Sequence, residues 1–161
     1  MSKANALRVR PAARSNLIRI APANRSSSLA TGSLPHRLSD QRFDHPKTYR
    51  ARVEGVPAEA LDWLWGSVRL SGFTTKPAQV RVTTPDVPPR DPPIRYRKSI
   101  PTAWIELTIA EGKNRQVRRM TAAVGLPTLR LIRVAIGGLR IDGLRPGEWR
   151  RLTRAELAAI R

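Results

Sequence analysis

The residues best suited to chemistry lie in one run, Glu111 to Met120, which reads E-G-K-N-R-Q-V-R-R-M. If the run is helical, Val117, Met120 and Val124 fall on one face at i, i+3 and i+7, and Arg115, Arg118 and Arg119 point the other way. A guanidinium presents a planar fork that matches two phosphate oxygens at once, which an ammonium cannot do. The chemistry implied is the gripping of a phosphate backbone, although spacing alone fits a solvated helix face equally well. Other chemistries are poorly served. No carboxylates stand paired at short spacing, and there is no Walker or dinucleotide glycine pattern and no G-x-S-x-G. Cysteine is absent, which excludes disulfides and thiolate metal sites, and His36 and His45 stand singly in loop-like sequence.

The arginine run needs elements to position it. Upstream, Ile105, Leu107 and Ile109 alternate with Trp104, Glu106 and Thr108, the pattern of a half-buried strand. Glu111-Gly112 then reads as a turn and Asn114 as the helix N-cap. Lys47 to Glu54 alternates in the same way, with Tyr49, Ala51 and Val53 on one face. Pro57 suits the start of a helix running to Trp65, with Leu61, Leu64 and Trp65 as its buried stripe and Gly66 as its C-cap. Trp63 and Trp65 are read as core or rim packing residues rather than stacking platforms. Short strands are expected around Gly72, with Gln79 to Val82 the clearest, and Thr128 to Ile136 is a well-formed strand. Pro85, Pro88, Pro89, Pro92 and Pro93 make Thr83 to Pro93 an extended loop. The stretch after it carries Arg95, Arg97 and Lys98, read either as a flexible surface loop or as a loop that contacts RNA phosphates. Thr153 to Glu156 has capping-box spacing and opens a terminal helix. The expected fold is α/β (α+β): a mixed, mostly antiparallel sheet with a few helices.

Charge narrows the partners. Thirty basic residues against 12 acidic ones give +18 over 161 residues, with an isoelectric point near 11.8. Such a surface calls for a polyanion: RNA first, DNA second, an anionic membrane third, since no basic amphipathic helix is evident. No apolar run approaches the roughly 20 residues of a membrane helix, and the N-terminus lacks the apolar stretch of a secretory signal. A cytoplasmic location and no membrane partner are therefore expected.

The ordered motif adds what composition cannot. E-G-K-N-R-Q-V-R-R-M, the A-x-V-G-L-P-T-L-R-L-I-R that follows it and the D-P-P-I-R-Y-R-K-S-I-P-T-A-W that precedes it resemble the pseudouridine synthases of the RsuA type, most of all the branch that modifies large-subunit ribosomal RNA. The resemblance runs from Thr31 to Arg151, about three quarters of the chain. It implies an isomerase that converts uridine to pseudouridine in ribosomal RNA: the glycosidic C–N bond breaks, the base turns, and a C–C bond forms, with no cofactor and no metal. It also implies a monomer. In that family an aspartate is the essential catalyst, a tyrosine stacks on the flipped base, and a motif arginine pairs with the aspartate. Tyr49 matches the tyrosine, Arg118 the arginine and Val117 the apolar pocket position, while Lys113, Asn114, Arg115 and Arg119 complete the RNA-facing motif.

One part of the pattern is missing. The family's G-R-L-D-x-D-S-x-G-L-L-L-L, which holds the catalytic aspartate, is expected just before Thr31. Residues 19–29 read R-I-A-P-A-N-R-S-S-S-L instead, and none of the aspartates present has that context. Leucine codons CTC read one base out of phase give serine codons TCC, so Ser26-Ser27-Ser28 is explained by a shifted frame. Residues 1–30 are accordingly expected to be a basic arm, disordered or frame-shifted, and 31–161 a partial catalytic domain. The resulting expectation is a pseudouridine synthase by family, truncated and inactive as written, with a non-catalytic basic RNA-binding protein as the alternative.

Overall fold

The computed structural model describes residues 5–9, 18–22, 45–90, 93–94, 97–145 and 148–159. Its centre is a five-stranded sheet in the order β6-β7-β3-β8-β9. The strands are β3 (Lys47–Glu54), β6 (Gln79–Thr83), β7 (Thr102–Ile109), β8 (Thr128–Ile136) and β9 (Leu139–Arg140). All described pairings are antiparallel. The alternation in the sequence fixes which side is buried. Tyr49, Ala51 and Val53 lie opposite Leu107, Ile105 and Ala103, so one face of β3 and β7 is apolar and the other carries Arg50, Arg52, Trp104 and Glu106.

Two helices cover the apolar face. In α1 (Ala58–Trp65) Leu64 is fully buried, and in α2 (Gln116–Ala123) Val117 and Met120 are. They join Ala51, Val53, Ile105, Leu107 and Leu126 in one core. The hairpin of β4 (Arg69–Leu70) and β5 (Phe73–Thr74) turns at Gly72, whose φ of 90° a side chain would resist. A smaller apolar cluster of Ile136, Leu139 and Leu152 sits beneath β9. There β10 (Trp149–Arg151) leads into α3 (Arg154–Ala158), and Thr153 and Glu156 close the expected capping box.

Several expectations need correction. Trp65, expected in the buried stripe, is 52% exposed, because α1 turns only Leu64 fully inward; Trp63 beside it is 72% exposed. Gly66 does end α1, but in extended rather than left-handed backbone. Apart from these corrections, residues 5–9 and 18–22 form β1 (Asn5–Val9) and β2 (Ile18–Pro22), arranged with β10 in the order β10-β1-β2. The rest of residues 1–30, together with His36, Asp40, Asp44 and Arg95, lies outside the described residues.

On the polar face, Glu106 ties three strands together. Its carboxylate accepts from Arg50 Nε at 3.0 Å and from Arg81 Nε at 3.1 Å, with β7 flanked by β3 and β6. Burial alone pushes this carboxyl up, but the hydrogen bonds from Arg81 and Arg50 outweigh it and hold it below its ordinary value. The folded group is thus the stronger acid. It stabilises the fold above the unfolded value and loses that contribution as pH falls through the folded one. Glu156, hydrogen-bonded by Arg150 and Thr153, is lowered to about 2 and acts in the same direction. Urea midpoints should therefore fall as pH drops below about 4.5, and Glu106→Gln should make that acid limb shallower. An unchanged limb would mean that Glu106 does not couple stability to pH.

Candidate RNA-binding and base-pocket site

The arginine motif is organised around a glutamine. At the end of β7 the chain turns, and Gln116, only 2% exposed, accepts the Lys113 backbone N–H at 3.1 Å through its side chain. Its amide nitrogen donates to the Glu111 carboxylate, and its own backbone N–H returns to the Lys113 carbonyl at 3.1 Å. The residue three places after Lys113 therefore closes the turn much as a capping-box residue does. Asn114 is exposed and is not the cap. Arg115 takes that place with φ 51°, in the left-handed region, and makes no side-chain cap. A non-glycine residue there is strained, and such strain collects where a loop is held in one shape for a purpose.

Lys47 supplies the second support. It is 3% exposed, and its ammonium donates to the carbonyls of His45 at 3.0 Å and Ala110 at 3.4 Å. Its stem packs against Gly112. The start of β3 is thereby tied to the turn that launches the motif. Nothing in the sequence signals Lys47 beyond its place on the Tyr49 face; the i, i+3 spacing of Lys113 and Gln116 was a usable signal for Gln116.

The three arginines differ. Arg115 is exposed. Arg118 is half-buried, and its Nη1 donates to the Thr128 carbonyl at 2.9 Å. Burial first, and then the neighbouring charges of Arg115 and Arg90, push its pKa down. Arg119 donates to the Ser71 carbonyl and, with Lys113, sits over the Phe73 ring, at 5.0 and 3.8 Å from its centre. Arg115 stands at the N-cap, ahead of the first turn of α2. The other two reach backbone carbonyls that the fold brings alongside α2.

Tyr49 lies mid-β3, half-buried, between Leu107 and Arg133. Val117 is 3% exposed and belongs to the core beneath it. The anchor of Arg118 is opposite Val53, four residues farther along β3, which at about 3.3 Å per residue is roughly 13 Å. The carbonyl that holds Arg118 is thus well separated from Tyr49 along β3. Arg97 and Lys98 are exposed, and Arg97 makes a 3.9 Å ion pair with Glu54.

The backbone resembles a crystal structure of a pseudouridylate synthase with a TM-score of 0.68, over 91% of this chain and 55% of that one, at 24% identity. The fold is therefore that of part of a pseudouridylate synthase chain. No family model matches the sequence. Individual proteins do. The ribosomal large subunit pseudouridine synthase E of Xanthomonas axonopodis pv. citri is 61% identical over 118 residues, 71% of this chain and 62% of that protein. The enzyme of the same name from Vibrio vulnificus is 48% identical over 124 residues, 76% of this chain and 53% of that protein. Ribosomal small subunit pseudouridine synthase A of Escherichia coli is 35% identical over 133 residues, 80% of this chain and 50% of that protein. The chain is similar to these pseudouridine synthases over 71–80% of its own length and spans about 50–62% of theirs. Among the described residues, no helix is long and apolar enough to cross a membrane.

Proposed function

We propose that this chain carries the RNA-gripping and base-pocket part of a pseudouridine synthase acting on large-subunit ribosomal RNA, and that as written it holds RNA without isomerising uridine. The observation that carries the reading is the motif turn: a strained, Gln116-closed loop presents Arg115 outward while the sheet presents Tyr49. Exposed Asn114 and Arg115 take phosphates, and Lys113 and Arg119 add positive charge from above Phe73. Arg97 and Lys98 extend the basic surface. A base drawn out of its stack costs a few kcal/mol, which stacking on Tyr49 and phosphate contacts would offset. Ribosomal RNA is the partner; the chain is read as a cytoplasmic monomer that needs neither cofactor nor metal.

The second reading, a non-catalytic basic RNA-binding protein, is favoured by one feature: the sequence contains no D-x-D-S-x-G. Both readings require RNA binding dominated by phosphate contacts, whose logarithm falls linearly with that of salt. Arg115→Ala together with Arg119→Ala should lower the salt slope by about one for each phosphate no longer neutralised, measured on a fragment of large-subunit ribosomal RNA. A slope that both substitutions leave unchanged would make these arginines structural and would sink the reading.

A further inference from the structure

Phe73 is an aromatic residue in a cationic setting. It is half-buried, yet it belongs to neither apolar cluster of the described residues. What meets its ring is charge: the Lys113 ammonium lies 3.8 Å from the ring centre and the Arg119 guanidinium 5.0 Å. The hairpin that carries it, β4 and β5, is fixed at both ends. At its base the Val68 backbone N–H donates to Thr75 Oγ1 at 3.0 Å, and the Thr75 N–H returns to the Val68 carbonyl at 3.0 Å. At its tip Leu70 pairs with Phe73 across a turn made of Ser71 and Gly72, and Leu70 packs on the main core. Arg119 also donates to the Ser71 carbonyl of that turn. The tip therefore meets the motif through a ring and a carbonyl, although no residue of the hairpin belongs to the motif.

We infer that Phe73 is a positioning residue for RNA binding: it holds Lys113 and Arg119 together as a ready-set pair, and the pair grips the phosphate backbone. A ring attracts each cation through its quadrupole and leaves both with their full positive charge. Ordering a long, rotamer-rich side chain at the moment of binding costs affinity, and a ring that orders it beforehand removes that cost. A carboxylate in the place of Phe73 would order the same two cations but would compete with the phosphate for them. The aromatic does the first without the second. The inference rests on the RNA-binding reading above and adds to it a residue from outside the arginine motif.

The test uses the full chain and a labelled decauridine, titrated by fluorescence anisotropy at fixed salt. Replacing Phe73 with pentafluorophenylalanine keeps the shape of the ring and reverses its quadrupole, so packing is preserved and the hold on the cations is lost. Binding should weaken at least about three-fold, with 4-fluorophenylalanine falling between the two. Phe73→Tyr keeps the aromatic face and should bind within about two-fold of the parent. In a chain that also carries Lys113→Ala and Arg119→Ala, the fluorinated ring should change binding by less than about two-fold, because the ring acts through those cations. Equal binding by the parent and the fluorinated chain would overturn the inference. So would a loss that persists in full without the two cations, which would make the ring itself a contact of the RNA. The two readings fail differently. If the fluorinated chain binds like the parent while Arg115→Ala lowers the salt slope, Phe73 positions nothing and the proposed function stands. If Arg115→Ala with Arg119→Ala leaves the slope unchanged, the proposed function fails and the inference fails with it.

Discussion

On undermodified large-subunit ribosomal RNA, the 161-residue chain is expected to form no pseudouridine, and a version with an in-frame G-R-L-D-x-D-S-x-G segment, together with the strands preceding it, is expected to form it at its target uridine. The effect should be close to all or none. Tyr49 stacking and phosphate contacts lower the cost of flipping, but neither breaks the glycosidic bond, a step that the family assigns to an aspartate. Arg118, which the resemblance pairs with that aspartate, instead donates to the Thr128 carbonyl. A cation held by a neutral carbonyl, its pKa lowered by burial and then by Arg115 and Arg90, gains from turning toward a carboxylate placed in reach. Reverse-transcription stops after carbodiimide treatment read the product along the whole RNA.

The largest stability effect is expected at Met120. It is fully buried and lies where α2 meets the sheet, among Val117, Leu126, Ala51 and Val53. Met120→Ala should lower the unfolding free energy by about 2–5 kcal/mol, a large part of the roughly 5–15 kcal/mol that holds a typical domain folded. Met120→Leu nearly conserves volume and should cost less than about 1.5 kcal/mol. Urea denaturation at neutral pH measures both. A change below about 1 kcal/mol for alanine would mean that α2 is not anchored through Met120, and that the motif turn is held by Gln116 and Lys47 alone.

Much of this architecture was legible because it follows from periodicity. The two-residue alternation of Lys47 to Glu54 and of Thr128 to Ile136 set both strands at their observed limits, and Thr153 and Glu156 closed their box as spaced. The same logic placed Val117 and Met120 inward. What periodicity could not supply was the partner of each polar side chain. Asn114 has the chemistry of a cap, yet the turn closes through a buried Gln116, since long-range packing by Lys47 and Gly112 sets the backbone first. The carbonyls that receive Arg118 and Arg119 are 10 and 48 residues away in sequence, so no local pattern could announce them. Trp65 misled for a related reason: a short helix on one edge of a sheet has room to bury only part of its apolar surface.

The most direct test sets the chain and its restored version side by side on the same undermodified ribosomal RNA, at protein concentrations giving equal RNA occupancy. Equal occupancy removes affinity as an explanation, so the pseudouridine map reports the chemical step alone. The expected result is a bare map for the chain as written and a stop at a uridine for the restored version, abolished by replacing the restored aspartate with asparagine. A clear pseudouridine stop from the 161-residue chain itself would contradict it.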